Sequence, residues 1–83
     1  MEVRYTDLLA MLSRDLGVNV YPQKLGHWCK VLNIKDRGGW YDSEDCVALR
    51  AIGEAFVRHK YRGSKAKNYV AAKVDQWRLT QTG

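Results

Sequence analysis

Apolar positions recur at three- and four-residue steps along four stretches of this chain, and each stretch predicts one amphipathic helix. The first stretch covers residues 7–16, follows Thr6 and stops at Gly17. Thr6 can cap such a helix through its hydroxyl, and glycine commonly follows a helix end. The apolar face of this first helix consists of Leu8, Leu9, Leu12 and Leu16.

A second helix is predicted from Pro22 to about residue 31, because the fixed φ of proline suits a first helical turn. The short segment before it is expected to bury Val18 or Val20. Gly26 weakens this helix by up to about 1 kcal/mol relative to alanine and can let another surface approach closely. The two helices together form a helix-turn-helix unit. The second helix has an apolar side and a polar side, which are Leu25, Trp28, Cys29 and Leu32, and Gln23, Lys24, His27 and Lys30.

Residues 34–41 are predicted to form a small two-stranded hairpin, or wing, that turns through residues 37–39. The two glycines in this turn can adopt the positive φ that tight hairpin turns need. A third helix follows, capped by Asp42 or Ser43 and running to about residue 61.

A break at residues 62–64 separates the third helix from a fourth, which Ser64 can cap and which covers residues 65 to about 79. Its apolar side, expected to pack against the third helix, is Ala66, Tyr69, Val70, Val74 and Trp77. Residues 80–83 are expected to be loosely organised. The chain is therefore predicted to be a single domain, residues 1–83, mainly α with a small β-hairpin wing, in a winged helix-turn-helix architecture of about four helices.

The run GGWYDSEDCVALRAI, residues 38–52, has a distinctive spacing. Tyr41 is followed four residues later by Asp45, and the helical stripe then continues through Cys46, Leu49 and Ile52. This spacing resembles the MerR family, in which a tyrosine ending the wing is followed by an aspartate that opens the next helix. The order of helices and wing is also similar to that of phage excisionases. The resemblance covers almost the whole chain and implies a winged helix-turn-helix domain that binds DNA.

Three features depart from the family pattern, and one is a turn between the first two helices that is about two residues longer than the family's usual spacing. The arginine that the family usually carries two residues before the tyrosine is Gly39 here, so Lys35 and Arg37 are the nearest cations for phosphate contact. MerR regulators also continue with a long dimerisation helix and often an effector-binding segment, and neither follows Leu79. The family's dimerisation and ligand sensing are therefore not carried over to this chain, so the resemblance implies DNA binding and no small-molecule ligand or cofactor is expected.

The formal charge of +5 and the pI near 9.4 favour a polyanionic partner. Six cations and no carboxylate lie between Glu54 and Asp75, which predicts a positive surface; a merely solvated face is the alternative. Cys29 and Cys46 show no paired spacing and are expected to be reduced core thiols. Residues 1–17 carry three acids and no continuous apolar block, which indicates neither a signal peptide nor a membrane span. We therefore expect a cytoplasmic, nucleoid-associated protein.

The candidate DNA-binding residues fall into three groups. On the second helix, Gln23 can pair with adenine and Lys24 can donate to guanine, while base or phosphate contacts are open to Tyr21, His27 and Lys30. In the wing, the groups that can approach the minor groove or the flanking phosphates are Lys35, Arg37, Gly38, Gly39 and Trp40. Around the start of the fourth helix, the cations that can hold phosphate are Arg58, Lys60, Arg62, Lys65 and Lys67. Tyr41 is expected to pack inside, and Trp40 can pack or contact DNA.

Catalysis and metal binding have little support in the sequence. His27 and Cys29 point to different sides of the second helix, and His59 has no acidic partner at a recognisable spacing. A zinc site built from these three residues and Cys46 lacks the paired short spacings of such sites. No glycine-rich phosphate loop precedes a helix. We expect neither an enzyme nor a metalloprotein.

The sequence thus predicts a sequence-specific double-stranded DNA-binding transcriptional regulator, a repressor that acts by occupying promoter DNA. One small domain covers one short site, so specificity would require self-association or cooperative binding of several copies. Two alternatives stay open. One is an excisionase-like factor that bends DNA for a recombinase. The other is a protein-interaction module whose basic face meets an acidic partner and whose exposed anchor is Trp28, Trp40 or Trp77.

Overall fold

The computed structural model describes residues 2–35 and 38–81. Its four helices are α1 Tyr5–Leu16, α2 Pro22–Leu32, α3 Ser43–Gly53 and α4 Gly63–Gln81. A π-helical turn, Glu54–Arg58, continues α3, and a two-stranded antiparallel sheet is formed by β1 Glu2–Arg4 and β2 Trp40–Asp42. The predicted class, mainly helical with a small antiparallel sheet, is confirmed.

The sheet differs from the predicted hairpin. β2 pairs with the beginning of the chain, since Glu2 lies opposite Asp42 and Arg4 lies opposite Trp40. The prediction that residues 34–41 pair with each other is wrong for the described residues, because Ile34 and Lys35 belong to no strand. β1 has three residues and leads directly into α1, so no alternation of apolar and polar residues marks it as a strand in the sequence. It is recognised as a strand only by its pairing with β2.

A turn through glycine precedes β2, as predicted. Gly38 and Gly39 have φ values of 71° and 86°, in the left-handed region that residues with a Cβ seldom occupy. The Gly39 carbonyl accepts a hydrogen bond of 2.8 Å from the backbone N–H of Tyr5. The turn therefore ties the end of β1 to the start of β2.

The first helix begins earlier than predicted. The cap position is Arg4, whose side chain makes no capping hydrogen bond, and Thr6 lies inside the first turn. The prediction that Thr6 caps α1 is wrong, because β1 leads directly into the helix. The ends of α1 at Leu16 and of α2 near residue 32 agree with the sequence prediction to within one residue.

The helices enclose one core, with α3 packed against α1, α2 and α4. The largest fully buried side chains come from three of these helices and are Leu8, Leu12, Leu25, Leu49 and Ile52. Val20, in the turn between α1 and α2, is 3% exposed, so one of the two valines expected to be buried there is in the core. Tyr41 is buried as expected, and so is Cys46. No disulfide joins Cys46 to Cys29, which is half-buried.

α3 starts as predicted and ends early. The Asp42 carboxylate accepts a hydrogen bond of 2.8 Å from the backbone N–H of Asp45, which is the expected cap. The prediction of a single helix running to residue 61 is wrong, because α3 ends at Gly53 and the π-helical turn that follows it ends at Arg58. Lys60 adopts a left-handed φ of 58°, which reverses the chain toward α4.

α4 is longer than predicted at both ends. It begins at Gly63, so Ser64 lies within the first turn instead of preceding the helix, and it continues to Gln81. The expectation of loose structure from residue 80 is therefore wrong for Thr80 and Gln81, and residues 82–83 lie outside the described part of the chain. The predicted packing against α3 is confirmed, with buried Ala66 and Val70 on the facing side.

Candidate nucleic-acid interface

α2 presents one polar face to solvent and one apolar face to the core, as its sequence predicts. Leu25 and Trp28 are 1% and 3% exposed. On the opposite side, Gln23, His27 and Lys30 are exposed, while Lys24 is half-buried. This division follows from the helical period, which places residues three and four apart on the same face.

Gly26 lies in the middle of this exposed face. A Cβ atom at Gly26 would meet no neighbouring atom within 4 Å, so the packing of the protein gives no reason for a glycine there. Immediately before α2, Tyr21 is 46% exposed, and the Lys24 ammonium lies 5.4 Å from the centroid of the Tyr21 ring. Together with Gln23 and Lys30, these groups give α2 a surface of donors, a ring and bare backbone.

The residue before α4, Arg62, approaches the α2 face at the ring of Phe56. The His27 ring centroid lies 6.4 Å from that of Phe56, and the guanidinium carbon of Arg62 lies 5.4 Å from the same Phe56 centroid. These three residues line a cavity of about 260 Å³. The π-helical turn carries Phe56, and such turns often mark functional sites. Arg62 therefore extends the α2 face toward α4.

The other cations predicted around the start of α4 do not form one cluster. Arg58 donates a hydrogen bond of 2.5 Å to the Asp15 carbonyl and lies 3.6 Å from the Glu54 carboxylate. It therefore serves the fold. Lys65 lies over the Tyr61 ring at 4.5 Å. Lys60 and Lys67 are exposed.

The rings of His59, Tyr61 and Tyr69 form a cluster next to Lys65. His59 stacks on Tyr61 with their centroids 5.1 Å apart, and it lies 5.1 Å from Tyr69. The Tyr69 hydroxyl donates to a Glu54 carboxylate oxygen at 3.4 Å. Burial, the Glu54 charge and this hydrogen bond raise the pKa of Tyr69 above its ordinary value. The cluster is thus part of the structural support of the junction between α3 and α4.

On the other side of α2, the sheet supplies a cation that the sequence analysis missed. Arg4 lies over the Trp40 ring with its guanidinium carbon 5.1 Å from the centroid, because β1 and β2 pair these residues. Trp40 is 39% exposed. No local pattern could have linked the two residues, since their proximity depends on pairing between distant segments.

The other residues predicted for the wing differ in their exposure. Lys35 and Gly38 are exposed, and Gly39 is half-buried. Arg37 lies outside the described residues. Of the three tryptophans proposed as protein anchors, Trp28 is in the core and Trp77 is half-buried, so Trp40 is the most exposed.

Charges are segregated across the described surface. Four arginines are ion-paired with carboxylates on α1, α3, α4 or the π-helical turn: Arg14, Arg50, Arg58 and Arg78. Within residues 2–35 and 38–81, no carboxylate lies within 4 Å of the charged atoms of the remaining cations. These remaining cations belong to β1, to α2 and the residues after it, or to residues 60–73, and they are Arg4, Lys24, Lys30, Lys35, Lys60, Arg62, Lys65, Lys67 and Lys73. Within the described residues, the positive charge that has no carboxylate partner therefore lies on α2, the sheet and residues 60–73, and Arg62 is the member of the last group that reaches the α2 face.

The structure gathers no metal centre or activated nucleophile among the residues it describes. No group of three or more His, Cys, Asp or Glu side chains is close enough to share a metal ion there. Burial, followed by the charges of Asp45 and Asp42, raises the pKa of the Cys46 thiol, which opposes formation of a thiolate. In the described part of the chain, no helix combines the length and apolar character needed to span a membrane.

Comparison of the chain with protein-family models, curated proteins and solved structures finds no match in any of the three.

Proposed function

We propose that this chain is a double-stranded DNA-binding protein of winged helix-turn-helix type, which regulates transcription by occupying promoter DNA. The observation that carries the proposal is the charge segregation: among the described residues, the cations of α2 and of residues 60–73 have no carboxylate within 4 Å, and Arg62 lies beside the exposed face of α2. DNA carries closely spaced phosphates, and cations that are not already neutralised gain most from releasing its counterions. Arginines paired within the protein contribute little to such a surface.

In this proposal α2 enters the major groove. Gln23 and Lys30 face solvent two turns apart on α2, and an amide such as that of Gln23 can pair with the adenine edge. Arg62, beside α2, and Lys65, in the first turn of α4, contact phosphates and fix the orientation without reading sequence. Steric exclusion of polymerase would make the protein a repressor, and several copies would bind neighbouring sites cooperatively.

The test is fluorescence anisotropy with a labelled duplex from upstream of the protein's own coding region and with a scrambled duplex, over a series of salt concentrations. We expect the wild type to prefer the upstream duplex and Gln23→Ala to lose that preference. Arg62→Ala should weaken binding to both duplexes and reduce the salt slope by about one unit. Arg14→Ala removes an equal charge from an ion-paired position and should change neither.

Equal and weak binding of both duplexes by the wild type would leave a charge effect alone and overturn the regulator. Absence of binding to either duplex at low salt would overturn DNA binding altogether. In that case a stable complex with a purified acidic protein, lost in Trp40→Ala, would identify a protein-interaction module instead.

A further inference from the structure

Two neighbouring cavities lie between α2 and the sheet, and together they are here called the trough. One, of about 350 Å³, is lined by Arg4, Tyr5, Thr6, Gly38, Gly39 and Trp40. The other, of about 480 Å³, is lined by Tyr5, Pro22, Leu25, Gly26, Cys29, Ile34, Gly39 and Tyr41. They share Tyr5 and Gly39. The Arg4–Trp40 pair therefore lines one end of the trough and Gly26 of α2 lines the other.

The lining of the trough has a consistent chemistry. Its lining is mostly apolar side chains and glycine backbone, and none of the lining residues that the structure describes carries a carboxylate. At one end the Arg4 guanidinium lies against the Trp40 ring, which leaves the outward N–H groups of the fork available. At the other end Lys30 stands one turn beyond Gly26 on α2, exposed to solvent. The trough thus has one cation in its lining, Arg4, then apolar surface, and a second cation, Lys30, beyond its other end.

Along a nucleic-acid strand, anionic phosphates are likewise separated by less polar deoxyribose rings. Its phosphates match the planar fork of arginine, and its deoxyribose rings can pack on an indole face or on bare backbone. An apolar peptide would leave Arg4 with nothing to pair with, and a basic partner would be repelled. Charge complementarity therefore favours a nucleic-acid backbone as the occupant.

We propose that one strand of the bound duplex lies in this trough, with Arg4 donating to a phosphate and Trp40 packing against the adjacent sugar. The proposal rests on the proposed function and adds a specific backbone contact to it. Gly26 then has a role, because the absence of a Cβ lets the strand approach the α2 backbone. Arg4 and Trp40 position the duplex and carry no sequence information.

The first experiment compares Arg4→Gln, Arg4→Lys and the charge-matched control Arg14→Gln in the anisotropy assay. Arg4→Gln should weaken binding to specific and scrambled duplexes by the same factor, about three- to tenfold, and reduce the salt slope by about one unit. Arg4→Lys should keep the slope and lose part of the affinity, because it keeps the charge without the fork. Arg14→Gln should match the wild type. Circular dichroism checks that each variant is folded.

The second experiment uses Gly26→Ala, which leaves the sheet untouched. Thermal unfolding should show a higher midpoint, because alanine is the better helix former at this open position. Affinity for duplex should nevertheless fall severalfold. Asn68→Ala, at an exposed position of α4, is the matched control and should raise the midpoint without changing affinity.

Trp40 provides a direct readout of the sugar contact. The emission of Trp40, obtained by subtracting the fluorescence of Trp40→Phe from that of the wild type, should be quenched when duplex is added. Wild-type affinity and salt slope in Arg4→Gln, or unchanged affinity in Gly26→Ala, would overturn the trough while leaving the α2 interface intact. Absence of duplex binding by the wild type would overturn the proposed function and the trough together.

Discussion

A Cβ atom placed on Gly53 would lie 2.5 Å from Cδ1 of Leu16, and 3.0 Å from the nearest ring carbon of Trp28. Gly53 has ordinary helical dihedral angles, so its backbone could accommodate any residue. The glycine is required instead by the close approach of α3 to α1 and α2. The position where these helices meet is thus defined by the absence of a side chain.

The first prediction is that Gly53→Ala destabilises the fold. The added methyl group must displace Leu16 or Trp28, and overpacking of this kind costs about 1–3 kcal/mol. Urea unfolding followed by circular dichroism measures the loss. Gly26→Ala provides the comparison, since its methyl group projects into open space and should stabilise by up to about 1 kcal/mol. Equal effects of the two substitutions would contradict the helix packing described.

A second prediction concerns the cap of α3. Asp42→Ala removes the acceptor for the Asp45 N–H and should cost about 0.5–2 kcal/mol in unfolding free energy. Asp42→Asn keeps a capping oxygen and should retain most of the stability. Chemical denaturation of both variants measures the difference. If asparagine were as harmful as alanine, the hydrogen bond would not be the source of the stability.

The third prediction links stability to alkaline pH through Tyr69. Burial and the Glu54 carboxylate raise its pKa in the folded protein. Since the folded-state pKa lies above the unfolded value of about 10, the resulting stability is fully present below that pH and is lost as pH rises through the folded-state pKa.

Thermal unfolding at pH values from about 8 to about 11 tests this dependence. The wild type should lose more stability over the alkaline part of the range than Tyr69→Phe, which has no hydroxyl to ionise. Tyr21→Phe changes an exposed ring and should follow the wild type. Parallel curves for the wild type and Tyr69→Phe would contradict the prediction.

A fourth prediction separates the two cysteines. Cys46 is buried and its thiol pKa is raised, so it should react with maleimide far more slowly than the half-buried Cys29. Mass spectrometry of the native protein should find the first label on Cys29, and denaturant should be needed for rapid labelling of Cys46. Labelling of Cys29→Ser, in which only Cys46 can react, gives its rate alone. Rapid native labelling of that variant would contradict the burial of Cys46.

The parts of the fold that follow from local sequence were predicted well. The apolar repeat of α2 gave both its buried side, with Leu25 and Trp28, and its exposed side, with Gln23 and Lys30. The cap at Asp42 and the turn at Gly39 also depend on residues close in sequence. In each case the physical cause acts within a few residues, so the chain itself carries the signal.

The parts that depend on distant contacts were predicted poorly. Arg4 was missed because only pairing of β1 with β2 brings it to Trp40. The hydrogen bond from Arg58 to the Asp15 carbonyl was missed because the sequence shows the charge of Arg58 and not its partner, and the assignment of Arg58 to DNA stays a prediction. The helical pattern also continues past Gly53 with no sign of the wider π-helical turn.

The pairing of β1 with β2 has a consequence for local opening. Each strand contributes only three residues, and closing the chain between Arg4 and Trp40 costs entropy before the pairing is gained. We therefore expect backbone amides of the sheet to exchange with deuterium while those of α3 remain protected. The least protected part of the fold would then lie beside its most exposed tryptophan, and a partner bound there would slow the exchange of the sheet amides.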